Sequence, residues 1–114
     1  MRSTLLRSGA VLLAVSLLAA APVALAETDD DKLALGKQVF TELAQPQCGL
    51  CHTLADAGTE GGVGPILDDL KPSAEVVARA VENGIGPMRP YTQLTAEEIE
   101  AVAFYVASVT GADQ

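Results

Sequence analysis

The chain has 114 residues, with seven basic and 15 acidic side chains for a net charge of −8, two cysteines and one histidine. That length allows one small domain, and so acidic a balance excludes a nucleic-acid binder and a protein that docks on anionic lipid. Aromatic residues are only 4% of the composition, so the chain has little core of its own and gains from a staple.

Arg2 and Arg7 precede an apolar run from Gly9 to about Ala21, and Ala24-Leu25-Ala26 fits the small-residue cleavage site of a secretory signal peptide. Residues 1–26 are therefore expected to be a cleaved signal and residues 27–114 the mature domain. An uncleaved membrane anchor is the alternative, and Ser16, Pro22 and the Ala-x-Ala end favour cleavage. The expected location is the periplasm, with no membrane attachment after cleavage. Losing Arg2 and Arg7 takes the net charge from −8 to −10.

In the mature chain the acidic run from Glu27 to Asp31 suits a helix start, where carboxylates meet the positive end of the macrodipole and one of them can cap. Leu33, Gly36, Phe40 and Leu43 then fall on one stripe, which predicts a helix over about 31–44, stopped by Pro46. Gly36 costs about 1 kcal/mol against Ala in mid-helix, so its place suggests close approach by another group. Next comes Cys48-Gly49-Leu50-Cys51-His52. In an exported chain this C-x-x-C-H run is the pattern of covalent c-type haem attachment, because two thiols three apart can add to two vinyl groups while the adjacent imidazole reaches iron. A closed zinc site would need four ligands, and a thioredoxin-like redox pair would need a βαβ pattern around it. Neither is present in the sequence.

Residues 53–63 are rich in Gly and polar turn formers and read as a loop, closed by Val63-Gly64-Pro65-Ile66-Leu67. Pro65 leaves a carbonyl free to accept a hydrogen bond, which a haem histidine needs at Nδ1. Pro72 and Ser73 open a second helix with Val76, Val77, Ala80 and Val81 as its buried stripe, Glu75 and Arg79 as an outward pair, and Asn83-Gly84 as its end. Ile85 to Tyr91 is too rich in Gly and Pro for helix or strand. Thr95 and Glu98 make a capping box, with Leu94 and Ile99 as a staple, and Ile99, Val102, Val106 and Val109 mark the buried face of a last helix that Gly111 closes. No segment alternates at period two, so no sheet is expected. The fold class is all-α, a small domain of three to four helices wrapped around one covalently bound haem.

Apart from Met1 the chain holds one methionine, Met88, in the Gly-Pro loop between two helices. A lone methionine is often core filler, but here loop shape is specified, and Met88 is a candidate sixth ligand to iron opposite His52. Lys32, Lys37, Lys71 and the amino terminus are the other candidates, and an open sixth position is a further alternative. A second histidine ligand within the chain is excluded, since His52 is the only one.

The set Gly36…Phe40, Cys48-x-x-Cys51-His52, Gly64-Pro65-x-Leu67, Asn83-Gly84-x-Gly86-x-Met88 and Tyr105 resembles small monohaem cytochromes c over nearly the whole mature chain. The resemblance implies that Pro65 receives the His52 Nδ1 proton, that Leu67 packs on the haem, that Met88 is the distal ligand, and that Gly36 and Phe40 cross the last helix near Tyr105. The family often has Pro directly after the ligand methionine, whereas here Arg89 intervenes before Pro90, and Tyr91 keeps the aromatic place three after Met88. The cofactor-binding set is thus Cys48, Cys51, His52, Pro65, Leu67, Met88 and Tyr91, with His52 and Met88 on the metal. A narrower likeness, through residues 53–58, 63–65 and 67–72, is to the cytochrome subunits that accompany periplasmic molybdenum sulfite dehydrogenases.

The function these readings support is periplasmic transfer of one electron by a monomeric carrier, with no catalytic residues of its own. Electrons would pass at a haem edge ringed by Gly49, Leu50, Ile85, Gly86, Pro87 and Pro90. The acidic surface favours redox partners with a basic docking patch, such as a sulfite dehydrogenase or a terminal oxidase. The alternatives are a fixed haem subunit of a dehydrogenase, and a haem enzyme or gas sensor with an open sixth site, for which only Arg89 could assist peroxide chemistry.

Overall fold

The computed structural model describes residues 19–112, and residues 19–28 are exposed and without regular structure. The Ala26 boundary falls in this stretch, while most of the expected signal lies outside the described residues. Helix α1 (Asp29–Gln38) is capped by Thr28, whose Oγ1 accepts from the Asp31 N–H at 3.1 Å while the Asp31 carboxylate accepts from the Thr28 N–H at 3.2 Å. The helix begins two residues before the expected start because a hydroxyl at the cap and a carboxylate at the third position satisfy two orphan donors at once. Its last turn widens over Val39–Leu43 and closes with the Ala44 N–H on the Val39 carbonyl at 3.0 Å. The extra residue shifts the buried stripe, so Ala44 is buried and Leu43 is exposed, contrary to the simple helical spacing.

After the turn at Cys48–Leu50 come β1 (His52–Leu54) and β2 (Thr59–Gly62), an antiparallel hairpin with a register shift between His52 and Thr53. This corrects the expectation of a plain loop. The turn chemistry at Ala55–Gly58 is as read, with the Gly58 N–H on the Ala55 carbonyl at 3.0 Å. The strands leave no signal in the sequence because they are three and four residues long, lack an apolar alternation, and complete their ladder with a side chain: Thr59 Oγ1 donates to the His52 carbonyl at 2.9 Å and accepts from the Leu54 N–H at 3.2 Å.

Helix α2 (Leu67–Leu70) is a single turn, α3 spans Ala74–Asn83 behind a Ser73 cap, and α4 spans Ala96–Thr110 behind the Thr95/Glu98 capping box. Helices α1 and α3 both pack on α4, which buries Ile99, Ala101, Val102, Ala103, Tyr105, Val106 and Ala107. At the α1–α4 crossing a Cβ on Gly36 would collide with the Ala101 carbonyl and the Tyr105 Cβ, so only glycine permits the approach. Phe40 meets Tyr105 there edge-on, with ring centroids 6.2 Å apart. Burying such an aromatic side chain stabilises by roughly 1.5–3 kcal/mol. The expected stripe of α3 needs correction at Val76, which is 46% exposed, since Val77, Ala78 and Val81 make the core-facing side. Val76 instead lies in a shallow surface groove with Ala80 and Ile85.

Candidate haem site

Cys48 and Cys51 are joined by one tight turn, with the Leu50 N–H on the Gln47 carbonyl and the Cys51 N–H on the Cys48 carbonyl, each at 3.1 Å. Three-residue spacing on such a turn sends both side chains to one side. Both thiols are free and half-buried, and burial pushes the Cys48 thiol up to about 11. Both sulfurs are therefore present as thiols on the same side of one turn.

The hairpin brings the distant Gly64-Pro65 back to this turn. Its exit is held by the Val63 and Gly64 N–H groups, which both donate to the Cys51 carbonyl, at 3.1 and 2.7 Å. His52 Nδ1 then lies 2.9 Å from the Pro65 carbonyl oxygen. That oxygen can only accept, so Nδ1 carries the proton and Nε2 keeps its lone pair. A Cβ on Gly64 would strike the imidazole ring at Cε1 and Nδ1, so the backbone lies flat against the histidine. The next turn seats Leu67, 8% exposed, in the core.

Met88 is presented by a tight loop in which Ile85 and Met88 exchange N–H···O bonds of 2.9 and 3.0 Å. The loop is fastened to α3 by Gly84 N–H on the Ala80 carbonyl at 2.8 Å and by Tyr91 N–H on the Val81 carbonyl at 2.9 Å. Two straps tie it to the chain entering the cysteine turn: Tyr91 O–H donates to the Pro46 carbonyl at 2.9 Å and Gln93 Nε2 to the Gln45 carbonyl at 2.8 Å. Burial, then the neighbouring Cys48 and Cys51, hold the Tyr91 phenol above its usual range, as its place between the two segments requires. Gln93 was not among the residues singled out in the sequence, where an exposed glutamine gives no signal. Arg89 is exposed.

This arrangement fits a haem. One turn offers two free thiols and an imidazole nitrogen, a strapped loop offers a half-buried thioether, and the same segments leave apolar side chains bare, with Leu50, Val63 and Ile85 at 64, 80 and 68% exposure. Among the described residues no group of three or more His, Cys, Asp or Glu side chains could hold a metal ion. Of the alternative sixth ligands, Lys32 is engaged with Glu100 at 2.5 Å and Lys37 with Asp56 at 3.2 Å.

A helical domain stapled by a C-x-x-C-H turn defines the class of small c-type cytochromes. The chain belongs to the family described as cytochrome C oxidase, cbb3-type, subunit III, whose model matches residues 31–106 and so takes in the cysteine turn, Pro65 and Met88. Among solved structures it is similar to the c-type cytochrome SorU from Sinorhizobium meliloti, at 63% identity over 72% of this chain and 94% of that one, with a TM-score of 0.71. No curated protein sequence matches. The chain is accordingly a monohaem cytochrome c whose haem is covalently attached, and it serves electron transfer.

Proposed function

We propose that the chain is an exported, periplasmic one-electron carrier whose haem iron is held between His52 Nε2 and Met88 Sδ, and that the protein itself catalyses no reaction. The observation that carries this is the 2.9 Å contact of His52 Nδ1 with the Pro65 carbonyl, which orients Nε2 as a ligand. The double strap on the Met88 loop and the engagement of Lys32 and Lys37 elsewhere support methionine on the other side. Haem c supplies a ferric/ferrous couple, and thioether ligation favours the ferrous state. Cys48 and Cys51 would hold the group, Leu67 and Tyr91 would shield it, and the bare apolar rim at Leu50 and Ile85 would meet partners through small, transient contacts. Cleavage after Ala26 is supported by the exposed, irregular stretch at residues 19–28 and by Thr28, two residues past the boundary, capping α1.

The donor proposed is a molybdenum sulfite dehydrogenase, on the likeness of residues 53–58, 63–65 and 67–72 to its cytochrome subunits. A second reading, a fixed subunit of an oxidoreductase complex, is favoured by the family description, which names an oxidase subunit. Co-purification from native membranes or periplasm separates the two. Potentiometric titration of the exported protein, followed in the visible spectrum, tests the carrier reading. One Nernstian one-electron wave with low-spin bands in both states is expected, and a high-spin ferrous spectrum would overturn it.

A further inference from the structure

Away from the thiols and the histidine, three helices converge on one turn. Asp56 sits between β1 and β2, where its Oδ2 accepts the Tyr105 hydroxyl of α4 at 2.6 Å and the Lys37 ammonium of α1 at 3.2 Å. Lys37 donates a second bond to the Asp56 carbonyl at 2.8 Å, and Asp68 of α2 accepts the Ala55 N–H at 2.9 Å. An exposed ion pair alone contributes little. Tyr105, however, is 2% exposed, with its Cβ against Gly36 and its ring edge-on to Phe40, so its short charge-assisted bond fixes the carboxylate relative to the helix crossing.

The hairpin so fastened carries the axial histidine at its other end. Thr59 Oγ1 links the turn side of the hairpin to the His52 carbonyl at 2.9 Å, and β2 runs on to the Cys51 carbonyl and then to Pro65. The strands are only three and four residues long, so the fastening at Asp56 adds to the Val63 and Gly64 bonds on the Cys51 carbonyl in holding the hairpin that leads to Pro65. We propose that Asp56 and Tyr105 are a positioning pair that sets the His52 Nδ1–H···O=C Pro65 hydrogen bond and, through it, the reduction potential of the haem. This rests on His52 being the axial ligand. A shorter bond makes the imidazole a stronger donor to iron and favours the ferric state, so loosening the pair raises the potential.

The test uses holoprotein and two readouts, the midpoint potential and the solvent-exchange rate of the His52 Nδ1 proton in the reduced protein by NMR. Tyr105→Phe keeps the ring and removes only the hydroxyl. It should raise the potential and speed exchange about tenfold, the change that losing roughly 1.4 kcal/mol of tethering gives. Asp56→Ala should match it, and Asp56→Asn, which keeps an oxygen for both donors, should restore most of the wild-type behaviour. Should Asp56→Ala fail to fold, Lys37→Met should give a smaller change of the same sign. Thr95→Ala, which removes the α4 cap far from the hairpin, should lower the melting temperature and move neither readout. A fall in melting temperature for Tyr105→Phe with potential and exchange unchanged would make the pair merely structural and overturn the inference. A wild type lacking a low-spin spectrum would instead overturn the ligation reading, and this inference with it.

Discussion

His52 has two nitrogens and the fold uses each differently: Nδ1 is taken by Pro65 at 2.9 Å, and Nε2 is left with its lone pair. Met88 is its proposed counterpart, and its removal separates a carrier from a haem with an open position. Met88→Ala should lower the midpoint potential by a sizeable part of the roughly 0.8 V over which axial ligands tune haem, measured by redox titration. At this scale the sequence was most legible, because Cys48, Cys51 and His52 must be adjacent for chemical reasons. Pro65 was legible as a proline beside Gly64 with a free carbonyl, and Met88 as the one methionine besides Met1, in a Gly-Pro loop. Asp56, Lys37 and Gln93 were not, because a bond between residues 19 to 49 apart along the chain leaves no local pattern.

The elements obey capping and spacing rules closely enough that the helix ends at Ser73, Gly84, Thr95 and Gly111 stand where the sequence puts them. The departures have local causes. The wide turn at Val39–Leu43 moves the buried stripe to Ala44, and the hairpin relies on Thr59 rather than on an apolar alternation. The tightest demand between elements is at Gly36, where a Cβ would meet backbone that cannot yield. Gly36→Ala should destabilise the holoprotein by about 1–3 kcal/mol, seen as a drop in melting temperature of about 4–8 °C per kcal/mol for a domain of this size. The turn that joins the strands also gives the fold an acid limit. The Tyr105 hydroxyl and then the Lys37 ammonium hold the Asp56 carboxyl below its usual range, and bonds to Thr28 do the same for Asp31. A carboxyl lowered by folding adds stability above the ordinary value near 3.9, and that stability is lost as pH falls through the folded value. Melting temperature should therefore hold from neutral pH to about pH 5 and fall below about pH 4, with the fall reduced in Asp56→Asn.

As a whole the molecule is an acidic body, −10 after the proposed cleavage, with an apolar rim around its haem segments. Attraction over a distance should bring it to a basic partner, and contact at Leu50 and Ile85 should hold it there. Electron-transfer rate constants with a basic partner should fall as salt rises and the Debye length shrinks from about 30 Å at 0.01 M to about 10 Å at 0.1 M. Stopped-flow mixing across that range checks the sign, and rates indifferent to salt would reduce the acidic surface to a solubility device. The central claim, that His52 and Met88 close both faces of the iron so that the chain carries electrons and binds no substrate, is tested most directly by adding carbon monoxide to reduced, untreated holoprotein. The visible spectrum should stay that of the six-coordinate low-spin form, with carbon monoxide binding only in Met88→Ala. Fast, stoichiometric binding by the wild type would show an open sixth position and contradict the account.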